Sequence, residues 1–472
     1  MRYLSVVLGC LAMASTLNAA EVTVKNENNT DLALSIYTNT ALVRDVRTVR
    51  LDAGKSSILF SGVSAQIKPE TVIVNAEDVM VREQNYNFAM LSPENVAKAN
   101  IGKVVKTVMW DDEKARNVYD KARILDVYAG RPVLQFGYGI EFDFPGRIIW
   151  ENLPDHLQTE PSLALGVSVK DSGDKTIDLM YLTGGLRWST NYVAEFINDT
   201  ELNLKAWVGI SNTSGIGYHN ARVQLVAGEA NVIREALAVR PMMFMKASAR
   251  AVNDAVSAPL PEEESVGEYH VYSLPEKITI ADNQTKQVSL LNKDRIKYQK
   301  EYRLSSPLYL NINGSSDNFK KINADIFVKL TNSEESNLGE PLPQGIMRFY
   351  EHDSKGNMLF VGESSFSQLA VGSDAELRIG RSFDILASGK IVNFTKIAEN
   401  MIEAEVSVSF MNAKSVKAMV VFDQYFHNDW KILSSNVDGV KQNSHTMRWQ
   451  IEVPPSGSSI LNFKVRIVKT DA

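Results

Sequence analysis

Apolar residues recur at every second position along most of this chain, the repeat of strands that turn one face to a core and the other to water. Val22 and Val24, then Leu32, Leu34 and Ile36, alternate with polar neighbours, and the run from Ala41 to Leu51 interleaves valines with charges. Asp52-Ala53-Gly54-Lys55 reads as a turn before Ile58-Leu59-Phe60, and Thr71 to Val74 adds another strand. Further on, Val104 to Val108, Ile124 to Tyr128, Val133 to Phe136 and Glu141 to Ile149 read as short strands, with Ala129-Gly130-Arg131-Pro132 as a hairpin connection. Five strand runs lie between Leu163 and Val226, and strands resume at Tyr269 and continue to Val468. The one helical signal in this stretch is a single turn from Pro93 to Asn100.

The pattern predicts a mainly β protein built from several antiparallel, immunoglobulin-like β-sandwich modules with a small β-barrel-like insert. Its organisation reads as a signal peptide over 1–20, an N-terminal β module over 21–81 and a barrel-like module over 82–160. A β-sandwich follows over 161–228, then a flexible Met/Ala-rich linker or loop over 229–268 and a C-terminal β-sandwich region over 269–472. With 472 residues the chain exceeds the roughly 250–300 at which one core stops growing, so several modules are expected. Within the linker, Met242, Met243, Phe244 and Met245 beside Arg234, Arg240, Lys246 and Arg250 offer an adaptable contact surface as the alternative to plain slack chain.

The first twenty residues set the address. Arg2 supplies a positive start, Tyr3 to Leu17 is apolar or small, and Asn18-Ala19-Ala20 precedes the polar chain. This is the pattern of a signal peptide cleaved near Ala19 or Ala20, and it places the mature chain in the periplasm. Beyond it no run approaches the roughly 18 apolar residues of a membrane span. Cys10 is the one cysteine, so cleavage leaves a chain without disulfides, thiolate metal sites or a cysteine nucleophile. Val7-Leu8-Gly9-Cys10 also has the outline of a lipid-attachment site, which makes a lipoprotein anchored through Cys10 the lesser expectation. A formal net charge of −6 without Lys/Arg runs argues against nucleic acid as a partner.

Catalytic signatures are sparse. His156, His219, His270, His352, His427 and His445 are dispersed, with no pair at metal-ligand spacing. Asp111-Asp112-Glu113 and His352-Asp353 are the polar clusters that stand out, and both read as turn chemistry. Thr213-Ser214-Gly215-Ile216-Gly217 lacks the helix that a nucleophile elbow needs. No catalytic, cofactor-binding or metal-binding residue is assigned, and no cofactor is expected.

Three stretches carry a family resemblance: Tyr181-Leu182-Thr183-Gly184-Gly185-Leu186-Arg187-Trp188-Ser189-Thr190-Asn191-Tyr192, Gln224-Leu225-Val226-Ala227-Gly228-Glu229, and Pro341-Leu342-Pro343-Gln344-Gly345-Ile346-Met347-Arg348-Phe349-Tyr350-Glu351. They resemble the bacterial envelope family known as domain of unknown function 4139, which includes proteins labelled mucoidy-inhibitor A. The likeness covers roughly residues 160–472, and the Ala41 to Leu51 run with Pro69-Glu70-Thr71-Val72 is similar to the N-terminal region of its periplasmic members. The family carries no chemistry to transfer. Physically, Thr183-Gly184-Gly185 suits a tight connection at positive φ, and Trp188 and Tyr192 suit sandwich anchors.

The functional expectation is an exported, non-enzymatic binding or structural module of the cell envelope, whose partner is another envelope protein or a surface polysaccharide. The alternative is a hydrolase or lyase of envelope polysaccharide or peptidoglycan using carboxylates from separate strands.

Overall fold

The computed structural model describes residues 21–87, 92–152, 157, 160–228, 260–311, 314–315 and 318–469. Strands make up 68% and helices 4%, so the period-2 pattern is realised as sheets throughout. The chain divides into two compact units, 1–188 with 211–236 and 262–286, and 189–210 with 237–261 and 287–472. No helix among the described residues is long and apolar enough to cross a membrane.

In the first unit the strands are β1 (Glu21–Val24), β2 (Asn29–Ile36), β3 (Ala41–Leu51), β4 (Gly54–Ser61), β5 (Ile73–Asn75) and β6 (Val79–Asn87). Helix α1 (Pro93–Ala99) follows, capped by the Ser92 hydroxyl, which accepts from the Asn95 N–H at 3.1 Å. Next come β7 (Val104–Asp111), β8 (Arg116–Tyr128), β9 (Arg131–Phe136), β10 (Gly139–Glu141), β11 (Arg147–Ile149), β12 (Ser162–Val169) and β13 (Gly173–Thr183). One sheet runs β1–β4–β12–β6; the other runs through Glu262–Val266, Tyr269–Ser273, Tyr218–Ala227, β2, β3, β13 and β5, with Ile278–Ile280 beside Tyr218–Ala227.

This arrangement redraws the expected modules. β12 lies between β4 and β6, and β13 lies between β3 and β5, so segment 21–81 and the parts 162–183 and 218–227 of segment 161–228 form one sandwich rather than two, while 189–210 belongs to the second unit. Without β12, β6 has no partner in the first sheet, and without β13, β5 has none in the second. The expected linker 229–268 lies outside the described residues up to 259, but its last part, Glu262–Val266, is a strand paired with Tyr269–Ser273. Pairing is also not purely antiparallel. β1 runs parallel to β4, and Asn29–Ile36 parallel to Tyr218–Ala227. In the second unit, Thr190–Glu195 pairs in parallel with Gly345–Tyr350.

The insert 104–149 is a five-stranded sheet in the order β10–β9–β8–β7–β11. Its end strands do not pair, so the expected barrel stays open. Closure needs strands long enough to tilt and stagger around an axis, and β10 and β11 have three residues each. Val105, Ala122, Ile124, Leu134 and Phe136 form a small core on one face, flanked by Phe144, Ile148 and Trp150.

The charges of β3 do not all face water. Odd positions from 41 to 51 point inward, which buries Asp45 (2% exposed) and Arg47 (0%) together with Val43, Val49 and Leu51. Arg47 Nη2 and Nε reach Asp45 Oδ2 at 2.6 and 3.1 Å, and Nη1 donates to the Val24 and Ser61 carbonyls, both at 2.8 Å. The guanidinium also lies over the Phe60 ring, 5.2 Å from its centroid. Since Val24 ends β1 and Ser61 ends β4, this side chain ties one sheet of the sandwich to the other.

In the second unit, Gln284–Ser305 pairs through Tyr298–Arg303 with Asn318–Thr331 and, in parallel, through Tyr302–Ser305 with Ala418–Tyr425. The sheets enclose a core around Trp449, whose ring lies 4.8 Å from Phe463 and 6.2 Å from Phe422. Val408, Phe410 and Asn412 end the strand Met401–Asn412, and all three are buried. The Asn412 Nδ2 donates to the carbonyls of Val416, Val453 and Pro454 at 2.8, 3.2 and 3.1 Å, while its Oδ1 accepts from the Lys414 N–H at 2.9 Å. Val328, Leu330 and Asn332 repeat this corner, with Asn332 donating to Glu340 and Leu369. Val208 and Ile210 belong to the same pattern in sequence, and Asn212, in the first unit, donates to Ile216 and Ala281 at 2.7 and 3.1 Å. The corner recurs as Val-x-apolar-x-Asn.

Two stability predictions follow from these buried polar groups. Arg47→Met strands the Asp45 carboxylate, and should destabilise the first unit by about 3–5 kcal/mol. The double replacement Asp45→Leu with Arg47→Met should recover most of that loss, as read by urea denaturation. Asn412→Ala leaves three loop carbonyls short of a donor and should cost the second unit about 2 kcal/mol, seen as a lower urea midpoint at unchanged slope.

Candidate binding face

Strand register decides which residues of the five-stranded sheet share a surface. Opposite one another on β7 and β8 stand Trp110 and Asn117, Val108 and Tyr119, Lys106 and Lys121, and Val104 and Arg123. On β11, Arg147 sits opposite Val108 and Ile149 opposite Lys106. On the other side Gln135 of β9 stands between Arg123 and Ile140 of β10. These residues occupy the face opposite the Val105–Ala122–Ile124 core.

Apart from Val108, which is buried at 5% exposure between Tyr119 and Arg147, the face is open to solvent and aromatic. Trp110 is 56% exposed and Tyr119 64%, with Val104 and Ile140 also more than half exposed. Directly opposed positions lie about 5 Å apart and diagonal ones about 7–8 Å, so Trp110 and Tyr119 are diagonal neighbours on one face. A cluster of large exposed apolar side chains is the informative exception on a protein surface, since single ones are ordinary.

Charge is sorted between the two faces. The open face carries Lys106, Lys121, Arg123 and Arg147 at strand positions against one acid, Asp126, beyond the β8 bulge, whereas Asp111, Asp120 and Glu141 fall on the core side. Just past the end of β11, Glu151 pairs with Lys106 at 2.8 Å, which pushes the Lys106 ammonium above its ordinary pKa and the Glu151 carboxyl below its own. Arg123 donates to the Gly102 carbonyl at 3.0 Å. Lys121 and Arg147 form no ion pair within 4 Å among the described residues, although Lys121 is close enough to Glu151 to help lower its pKa.

The clusters singled out in the sequence sit elsewhere. Asp111 Oδ1 and Oδ2 accept from the Lys114 N–H and ammonium at 3.0 and 3.1 Å, which closes the β7–β8 turn and holds the Asp111 carboxyl below its usual range. Asp353 does the same for its hairpin, accepting from the N–H groups of Lys355 and Asn357 at 2.8 and 2.9 Å. Tyr192 is fully buried and donates to the Pro343 carbonyl at 2.8 Å, joining two of the family-like stretches. Trp188 is 7% exposed, with no acceptor for its indole N–H among the described residues. Gly185 takes φ +78°, and a Cβ there would lie 2.7 Å from the Ser214 Cα.

Of the histidines, His270 lies 2.8 Å from Glu263, His352 lies 3.4 Å from Glu195, and His427 rests between the Tyr309 and Tyr425 rings. His445 Nδ1 is 3.1 Å from the Phe426 carbonyl, and His219 is exposed. No three His, Cys, Asp or Glu side chains among the described residues gather as a metal site requires. His156, Cys10 and the Met242–Met245 cluster with its basic neighbours lie outside the described residues.

The second unit holds a cavity of about 770 Å³ lined by Glu195, Asp199, Asp294, Glu351, Arg295 and His352 among others. Several carboxylates line it together, as a hydrolase would require. A general acid is kept protonated by an apolar, water-poor setting, yet here Glu195 is 30% exposed and faces His352, itself 39% exposed. The cavity is wet and polar rather than enclosing.

Comparison with family models and with curated proteins finds no match to this chain.

Because Trp110 and Tyr119 are more than half exposed and lie outside the small core, these aromatics should be dispensable for folding. Trp110→Ser with Tyr119→Ser should shift stability by no more than about 0.5 kcal/mol. Acrylamide quenching of tryptophan fluorescence should lose its most accessible component with Trp110→Phe.

Proposed function

We propose that this chain is an exported, non-enzymatic binding protein of the cell envelope that grips a surface polymer through the open face of its five-stranded sheet. The observation that carries the reading is the pair Trp110 and Tyr119, left exposed on one face of a sheet whose other side is already packed. Flat rings on a rigid strand pair give a stacking platform with little side-chain entropy to lose on binding. Short end strands leave that platform flat and accessible. The N-terminal signal-peptide pattern and the likeness to the envelope family with domain of unknown function 4139 set the compartment in this proposal. A surface polymer fits better than a folded protein partner, because a strip of five short strands offers length and flatness rather than a pocket for one buried anchor.

Hydrolysis of the same polymer is the second reading, motivated by the carboxylates around Glu195 and Glu351. The test is co-sedimentation of the purified protein with an insoluble Gram-negative envelope fraction. Wild type should pellet with it, and Trp110→Ser with Tyr119→Ser should weaken retention about tenfold while the thermal midpoint stays put. Equal retention by the double variant would refute the face as the contact surface. Release of new reducing ends by wild type, abolished by Glu351→Gln, would replace the binding reading with the hydrolytic one.

A further inference from the structure

We propose that the open face selects an acidic polysaccharide, a chain of flat sugar rings bearing anionic groups. This rests on the binding reading above and adds the ligand's chemistry. Two observations point the same way. Lys106 and Lys121 stand opposite each other in the middle of the face, Arg123 follows Lys121 two positions along β8, and Arg147 lies across β7 from Tyr119. The cations therefore form a band beside Trp110 and Tyr119 rather than a separate patch. A bound polymer would lay the C–H faces of its sugars on the rings while its acidic groups meet Lys121 and Arg147, neither of which forms an ion pair among the described residues or is held by a backbone carbonyl as Arg123 is.

Charge balance separates this ligand from nucleic acid. Residues 92–152 hold nine Lys/Arg and nine Asp/Glu, and the whole chain is at −6. Nucleic-acid binders draw most of their affinity from many phosphate contacts and carry a strongly basic domain to make them. A module that is neutral overall and basic on one face suits a polymer with fewer charges and more apolar ring surface. Exposed cations act through a screened field, so the selectivity must fade as salt rises.

The experiment uses the full mature chain and two probes with one backbone: polygalacturonate, and polygalacturonate whose carboxylates are fully methyl-esterified. Isothermal titration at low salt should give at least tenfold tighter binding to the free acid than to the ester. Lys121→Gln with Arg147→Gln should erase that difference, and 0.5 M salt should do the same. Trp110→Ser with Tyr119→Ser should weaken both probes together. Equal binding of acid and ester overturns the acidic-ligand inference and leaves polymer binding standing. Tighter binding of an oligothymidylate than of polygalacturonate, lost in the Lys121/Arg147 variant, overturns it in favour of nucleic acid. Binding of neither probe, together with envelope retention that ignores Trp110 and Tyr119, overturns both readings.

Discussion

The first unit hangs on a cation with no water around it. Arg47 is fully buried, yet four of its hydrogen bonds are made: two to Asp45, one to Val24 and one to Ser61. Burying such a pair costs several kcal/mol per ion, and attraction in the interior repays that only where geometry is close to ideal. Here the return is architectural. The guanidinium fork spans from the strand that carries it to the ends of two strands in the facing sheet, fixing the distance between the sheets and the register of β3. Apolar side chains would fill the space without specifying which strand end belongs where. Asp45 Oδ1 finds no partner, so the network is tight but incompletely satisfied.

A second device solves a different problem in both units. When a strand ends inside a sandwich, the loop that follows leaves carbonyl groups in a place water does not reach. Asn212, Asn332 and Asn412 meet this need with one short amide each, donating to two or three such carbonyls. Asparagine is suited to it because its NH₂ supplies two donors and its carbonyl can accept from the turn at the same time. The preceding Val-x-apolar positions pin the strand in the core, so the amide arrives at the corner already oriented. Three corners of one design indicate that this chain builds its sandwiches by reusing a single solution to strand termination.

How far the sequence discloses this depends on the distance over which each constraint acts. Period-2 burial is local, so strands such as Leu163 to Val169 and Met401–Asn412 are legible from their own residues. Thr183-Gly184-Gly185 is likewise legible, because Gly185 needs its positive φ whatever surrounds it. Module boundaries are not: β12 joins β4 and β6 across the whole insert, and nothing local in Leu163 to Val169 names its neighbours. The charges of β3 mislead for the same reason. Alternation of valine with arginine and aspartate suggests a polar outer face, whereas Asp45 and Arg47 point in with Val43 and Val49 because partners for them wait in the opposite sheet. The open face was visible only in halves. Val104-x-Lys106-x-Val108-x-Trp110 and Asn117-x-Tyr119-x-Lys121-x-Arg123 each show an alternate set, but pairing register alone puts them side by side.

The same sheet explains why an aromatic surface can stay exposed without recruiting further strands. Long flat edges invite pairing with other chains, but this sheet ends in β10 and β11, three residues apiece, and bulges between Ile124 and Asp126. Lysine and arginine interleave with the rings, so a second copy meeting this face would oppose cation to cation. Those features permit a ligand that is anionic and chain-like while opposing self-association. They also separate binding from catalysis. A reaction needs a titratable group held out of water at a fixed distance from the bond it attacks, whereas every charged side chain on this face projects into solvent. On the proposed reading, this rigid, open and aromatic sheet serves to hold a polymer.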